Sequence, residues 1–284
     1  MTGGWQSGRR AGDPDGDRAG WHGGRVTERA ECVLAPNPGP MTLDGTNTWV
    51  LLEPGSNQAL VVDPGPLDEA HLGRVLGAVR SRGARVALTV LTHHHLDHAE
   101  SAGRLAQLTG SPVRALHADV GTGGVAGDLR DGDRFDVAGL EVAVAATPGH
   151  TADSLSLLLP DDGALLTGDT VLGRGTTVVA HPDGELTAYL ASLERIAQLT
   201  ASGKVSQILP GHGPLVVDAA EAVRYYLEHR RERLDQVRAA LAAGDRTADE
   251  VVARVYAQLP RQVWPAARLS VLAQLAYLGA ERPS

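Results

Sequence analysis

The run Thr92-His93-His94-His95-Leu96-Asp97-His98 constrains this chain more than any other feature. Four imidazoles and one carboxylate stand within six residues, directly after the apolar β-type stretch Val86 to Leu91. Nitrogen and carboxylate donors suit zinc, whereas calcium and magnesium prefer cages of oxygen. Cys32 is the only cysteine, so neither a thiolate cage nor an intramolecular disulfide can form. Along an extended backbone, side chains 93 and 95 point to one side and His94 to the other. His93 and His95 can therefore share one ion. Asp97 and His98 fall where the chain turns into a helix predicted over 99–108, and they can face a second ion. A surface cluster or an expression tag would also hold histidines, but this run is internal and carries an aspartate at a fixed offset. His94 is left without a role.

Three more ligand candidates stand at turns after apolar strands: His150 in Thr147-Pro-Gly-His-Thr151, Asp169 in Leu166-Thr-Gly-Asp-Thr170, and His212 in Pro210-Gly-His-Gly-Pro214. Glycine and proline beside each one let the backbone turn sharply and present one side chain to a shared point. Singly, each would be an ordinary turn. Beside the histidine run they make a ligand set collected from separate loops.

Residues 1–24 hold almost nothing to bury beyond Trp5 and Trp21, so disorder is expected there. From 25 to 221 strands and helices interleave. Strands are predicted at 48–52, 59–62, 86–91, 134–146, 154–159, 164–167 and 207–209, and helices at 68–82, 99–108 and 185–198. Such a pattern fits an α/β sandwich with sheets inside, helices outside, and loops gathered along one edge. Residues 222–284 read as a small helical module. Leu234, Val237 and Leu241 recur at helical spacing, Gly244 is a stop, Thr247 to Glu250 is a capping box, and a last helix follows Pro265. Trp264, Leu269, Leu272 and Leu275 form an apolar stripe read as packing, and no oligomeric state follows from it.

The net charge of −8 argues against general affinity for phosphate backbones, but it is unevenly spread. Residues 25–221 carry 13 basic and 24 acidic side chains, while 222–284 carry 10 arginines against 7 acidic residues. No stretch approaches the roughly 20 apolar residues of a membrane span. The first residues lack the apolar core of a signal peptide, so a cytoplasmic location is expected, with no membrane partner.

The run His93-His94-His95-Leu96-Asp97-His98, with His150, Asp169 and His212, resembles the metallo-β-lactamase superfamily over roughly residues 30–217. The resemblance implies an αββα sandwich and two zinc ions, with iron or manganese as other possible occupants. It places His93, His95 and His150 on the first ion, Asp97, His98 and His212 on the second, and Asp169 between them. Asp63 matches the family's aspartate at the end of an early strand, which orients the ligand loop. A closer resemblance, to the beta-lactamase-like protein 2 family, rests on Asn37 to Thr48, on Gly173-Arg-Gly-Thr-Thr-Val178, and on Thr247, Tyr256 and Ala266-Ala267. Members pair the hydrolase domain with a winged-helix-like tail, and a mitochondrial member is an endoribonuclease acting on single-stranded RNA.

A site of this kind implies hydrolysis by a hydroxide shared between two ions, whose water is acidified towards about pKa 7. Asp97 is the expected catalytic residue, orienting the nucleophile and receiving its proton. Asn47, Thr176 and Thr177 are expected substrate contacts, whereas His117, His181 and Tyr189 read as surface or packing residues. Three functions compete. An endoribonuclease on single-stranded RNA would use arginines 224, 230, 231, 233 and 238 on phosphates, although Glu228, Glu232 and Asp235 interleave and make a solvated helix face equally natural. A glyoxalase II-like thioesterase acting on a small ester or acyl thioester suits the acidic body. A non-catalytic, metal-bound regulatory protein is the third. A secreted β-lactamase is disfavoured by the missing export signal.

Overall fold

The structure is a computed structural model and describes residues 20–116, 125–126 and 128–279. Two sheets form its centre. The first runs in order from β1 (Gly24–Arg25) through β2 (Ala30–Leu34), β3 (Asn47–Leu51), β4 (Gln58–Val62), β5 (Arg85–Val90) and β6 (Val113–Arg114) to β7 (Val125–Ala126). The second is built from β8 (Arg134–Val137), β9 (Leu140–Ala146), β10 (Leu155–Leu159), β11 (Ala164–Gly168) and β12 (Gln207–Pro210), in spatial order β12-β11-β10-β9-β8.

Strand alternation explains the layering. On β3, Trp49 and Leu51 point into a core shared with Val142, Val144, Leu155, Leu157 and Leu166 of the facing sheet. Val50 and Leu52 point the other way, onto Leu72, Val75 and Val79 of α1 (Glu69–Ser81) and Leu105 of α3 (Ala102–Thr109), which follows the one-turn α2 (Leu96–Ala99). The outer face of the second sheet, through Leu165 and Ile208, packs on α4 (Leu186–Ala201) and on the start of α5 (Ala219–Ala242). Helix, sheet, sheet and helix thus lie in four layers, the expected αββα sandwich. Both faces of β3 are covered, which is why Asn-Thr-Trp-Val-Leu is buried throughout.

The tail continues with α6 (Ala248–Val255) and α7 (Trp264–Tyr277), packed on Val237 and Ala240 of α5. Both halves of the expected capping box form at Thr247 and Glu250. Among the described residues the tail holds helices and no strand.

Two expectations about boundaries need correction. Residues 1–19 lie outside the described residues, but 20–24 are ordered: Trp21 packs on the core and its Nε1 donates to Asn47 Oδ1 at 2.8 Å, so a single large aromatic ties this stretch down. The boundary drawn at 221/222 falls inside α5, whose first half, with Ala219, Ala222, Val223 and Tyr226, belongs to the core of the sandwich.

Candidate metal centre

Every ligand candidate leaves the end of a strand at one edge of the sandwich. Asp63 ends β4, the histidine run follows the parallel β5, and His150 follows β9. Asp169 follows β11 and His212 the parallel β12. Because β9 and β11 both run antiparallel to β10 between them, their last residues share that edge. Gly211 shows how tight the assembly is: a Cβ there would lie 2.5 Å from Asp169 Oδ1 and 2.7 Å from His98 Cε1.

The predicted donors meet in two groups. His95 Nδ1 lies 3.0 Å from His93 Nε2 and 3.1 Å from His150 Nε2. His98 Nε2 and His212 Nε2 are 3.1 Å apart, and Asp97 Oδ2 is 3.4 Å from the first and 3.2 Å from the second. Asp169 reaches both groups, with Oδ1 3.4 Å from His98 Nε2, and Oδ2 3.4 Å from His212 Nε2 and 3.7 Å from His150 Nε2. A tetrahedral ion with bonds of about 2.0–2.1 Å spaces its donors about 3.3 Å apart, so these separations suit two cations.

The far nitrogens decide which way each ring presents its lone pair. His98 Nδ1 donates to Asp63 Oδ2 at 2.8 Å, His150 Nδ1 to the Val178 carbonyl at 2.8 Å, and His212 Nδ1 to the Gly45 carbonyl at 3.1 Å. His93 Nδ1 lies 3.0 Å from Thr92 Oγ1, which itself donates to Asp63 Oδ2 at 2.7 Å. Each of these four rings therefore places a proton on the outward Nδ1 and turns Nε2 inward. Asp63, as expected, is the organiser: it also accepts from Thr92 N at 2.7 Å.

The two groups differ electrically. Burial holds His93 well below its ordinary pKa and His95 down to about 4, so the first group offers neutral rings. Burial also opposes the charged form of His98, but Asp169, Asp97 and Asp63 outweigh it and push that ring well above the ordinary value. His212, likewise opposed by burial, is raised to about 9, chiefly by Asp169. Burial acts to raise Asp97 and Asp169 too, yet the neighbouring histidines hold both carboxyls below the usual range. The second group demands positive charge. Asp169 Oδ1 is buried and has no hydrogen-bond partner, an orphan that a cation would satisfy. The donor set therefore fits a pair of divalent ions.

Beside His150 and Asp169 opens a cavity of about 210 Å³ whose walls include Pro40, Met41, Leu43, Leu172, Thr176, Thr177 and Val178. Its one cation, Arg174, is ion-paired with Asp44. Thr176 and Thr177, read from the sequence as substrate contacts, are both among the residues lining the cavity. Asn47 is not. It is fully buried, its Nδ2 donates to the Pro210 and Gly213 carbonyls at 2.9 and 2.8 Å, and its Oδ1 accepts from Trp21 and Cys32. Asn47 ties β3 to the His212 loop and has no polar atom left for substrate.

His94 lies beside His95, with ring centroids 5.1 Å apart, but its Nδ1 is 2.9 Å from Asp153 Oδ1 and its Nε2 3.7 Å from Asp183 Oδ2. Neither aspartate is singled out by the sequence, because neither stands in a distinctive turn. The Val178 and Gly45 carbonyls are equally invisible there, since any residue type supplies a backbone oxygen. Tyr189 is buried packing, as expected, His181 is half-buried, and His117 lies outside the described residues.

Fold and site together define a metal-dependent hydrolase. Residues 41–212 match the Metallo-beta-lactamase superfamily, and residues 247–282 match the Beta-lactamase associated winged helix domain. The chain belongs to the metallo-beta-lactamase superfamily. It is similar to the Beta-lactamase-like protein 2 homolog of Caenorhabditis elegans, with 34% identity across 87% of this chain and 82% of that one. It is also similar to the Atrochrysone carboxyl ACP thioesterase of Aspergillus fumigatus, with 31% identity across 84% of this chain and 76% of that one. A metallo-beta-lactamase family protein from Thermus thermophilus shares the fold, with a TM-score of 0.73, 24% identity, and coverage of 89% and 93% of the two chains. Among the described residues no helix is long and apolar enough to cross a membrane.

Proposed function

We propose that this chain is a dinuclear zinc hydrolase of acyl thioesters. The observation that carries the reading is the cavity beside Asp169, whose walls are mostly apolar and whose single cation is already paired. A thioester with an extended acyl chain matches such walls, and a thioesterase among the similar proteins supports the same class. Two bound zinc ions would supply a hydroxide at neutral pH and polarise the scissile carbonyl.

The chain's own residues do the rest. His93, His95 and His150 would hold one ion, Asp97, His98 and His212 the other, with Asp169 between them. Asp97 Oδ2 accepts from Thr46 Oγ1 at 3.2 Å, which steadies a carboxylate that, against burial, His98 and His212 keep ionised and so able to ligate an ion and orient its water. Thr176 and Thr177 line the wall where hydroxyl groups can meet the carbonyl oxygen or the thiol leaving group. Neutral apolar walls exclude water from the acyl chain.

An endoribonuclease is the other reading, favoured by likeness to the Beta-lactamase-like protein 2 homologs. Its electrostatic support is thin. Glu221, Arg224, Glu228, Arg231, Asp235 and Arg238 follow one another at spacings of three and four along one exposed stripe of α5, so its charge alternates in sign. Arg238 is paired with Asp235, and Arg233 lies over the Tyr256 ring.

The deciding experiment is hydrolysis of decanoyl-coenzyme A and of a fluorescent single-stranded RNA by zinc-loaded protein, side by side, with an Asp97→Ala, His98→Ala double variant. Thioester turnover that a chelator and the double variant both abolish is expected, with two zinc ions per chain by elemental analysis. RNA cleavage without thioester turnover would move the function to the ribonuclease. Activity on neither, with metal bound, would favour a regulatory role.

A further inference from the structure

Residues 170–178 form the wall of the pocket, carrying Thr176 and Thr177 and, at Val178, the carbonyl that orients His150. No strand or helix includes this segment, so no ladder of its own holds it. Thr167 Oγ1 donates to the Val171 carbonyl and Gly173 N to the His212 carbonyl, and from behind its backbone is gripped by two helices. Tyr189 of α4 donates its hydroxyl to the Thr170 carbonyl at 2.7 Å, and Tyr226 of α5 accepts from Leu172 N at 2.8 Å. Arg230, one turn further along α5, donates Nη2 to the Thr177 carbonyl at 2.5 Å. Its guanidinium lies 4.8 Å above the Tyr189 ring, so the three side chains form one block.

Arg230 is an expensive member of that block. It is 5% exposed, its Nε has no hydrogen-bond partner, and among the described residues no carboxylate lies within ion-pair distance. A guanidinium stripped of water without a counter-charge costs stability that an apolar side chain of similar volume would not. What Arg230 offers in return is reach: a rigid fork that crosses from α5 to a loop carbonyl at the pocket wall.

We propose that Arg230 and Tyr226 are positioning residues of the hydrolase site, by which α5, the helix that runs on into the tail, fixes the 170–178 wall and through Val178 the ring of His150. This rests on the reading of the pocket as the hydrolytic site. Burial pushes the Tyr189 phenol up to about 12, with Arg230 opposing, and pushes Tyr226 well above its ordinary value. Both phenols therefore stay protonated, which the bond that Tyr189 donates to the Thr170 carbonyl requires. The arginine expected on phosphates is thus turned inward, and it joins two parts of the chain that the sequence reads as separate modules.

The test uses full-length protein loaded with cobalt(II), whose visible absorption reports ligand geometry, and three variants: Arg230→Met, Tyr226→Phe and the control Arg233→Met. The control sits on the same helix but packs on Tyr256, away from the loop. Arg230→Met and Tyr226→Phe are each expected to weaken cobalt about tenfold or more and to shift its absorption bands. Each should also raise KM for decanoyl-coenzyme A about tenfold, while the control behaves as wild type. Tyr226→Phe removes one oxygen and keeps the ring in the core, so it decides the matter if Arg230→Met does not fold. Wild-type spectrum, cobalt affinity and KM in a folded Tyr226→Phe variant would overturn the proposal. Absence of thioester turnover in the wild type would sink the substrate reading alone, because the cobalt spectra still test the clamp. If the wild type bound no cobalt, amide hydrogen exchange over 170–178 would decide, with faster exchange in the variants supporting the clamp and equal exchange refuting it.

Discussion

Asp63 sits at φ +52°, a left-handed conformation that a residue with a Cβ adopts at a cost of about 1–3 kcal/mol. Three hydrogen bonds to its carboxylate, from Thr92 N, Thr92 Oγ1 and His98 Nδ1, hold it there. Behind it, Thr48 donates its hydroxyl to the Asp63 carbonyl at 2.7 Å, and His71 Nε2, 2.9 Å away, donates to Thr48. His71 is fully buried, and burial, helped by Arg74, lowers its pKa to about 4. The unfolded chain protonates this ring near pH 6.5, so between about 6.5 and 4 the unfolded state binds more protons and stability falls as pH falls. The loss attributable to His71 reaches about 3 kcal/mol at the low end. Urea unfolding of metal-free protein at pH 7 and pH 4.5 should show a smaller drop in His71→Gln than in wild type. An equal drop would mean that the ring is hydrated in solution. The helix pattern alone does not single out His71, since its spacing with Leu72 and Val75 says only that it faces inward.

Elements are legible where local rules are strong. The strands before each ligand turn announce themselves as apolar runs, and helix α6 announces itself through Thr247 and Glu250. That capping box satisfies two backbone donors that the helix cannot satisfy itself. Thr247→Ala should therefore destabilise the tail by about 1 kcal/mol, seen as a lower thermal midpoint with little change in hydrolysis. A collapse of activity would instead tie the α6 terminus to the site. Charge is less legible at this scale. The arginines of α5 look like one basic run in sequence, but a helix distributes consecutive residues around its axis. Arg230 goes to the core, Arg233 to Tyr256, and Arg224, Arg231 and Arg238 to a stripe shared with acids.

Across the whole molecule, α5 is the element that belongs to two cores. Its first half buries Ala222, Val223 and Tyr226 against α4 and the second sheet, while Val237 and Ala240 build the tail with α6 and α7. A chain ending at residue 218 should lose that packing and aggregate, because several large side chains of α4 would face water. One ending at residue 244 should keep the sandwich folded and metal-binding, with a lower melting point. Gel filtration and metal content of the two truncations check this; a soluble, metal-loaded 1–218 protein would refute it.

The amino-acid sequence alone marked the candidate ligands and the layered fold, because metal chemistry resides in residue type and strand or helix periodicity in local pattern. His93, His95, Asp97, His98, His150, Asp169 and His212 all stand out in the sequence, and all converge in the fold. The tertiary structure alone decided which nitrogen each ring turns inward, that Asn47 is a brace between strand and loop, and that Arg230 supports the pocket wall from behind. Those roles depend on partners far along the chain: Val178 lies 28 residues from His150, Thr177 lies 53 from Arg230, and Pro210 lies 163 from Asn47. No local pattern carries a contact made across such distances.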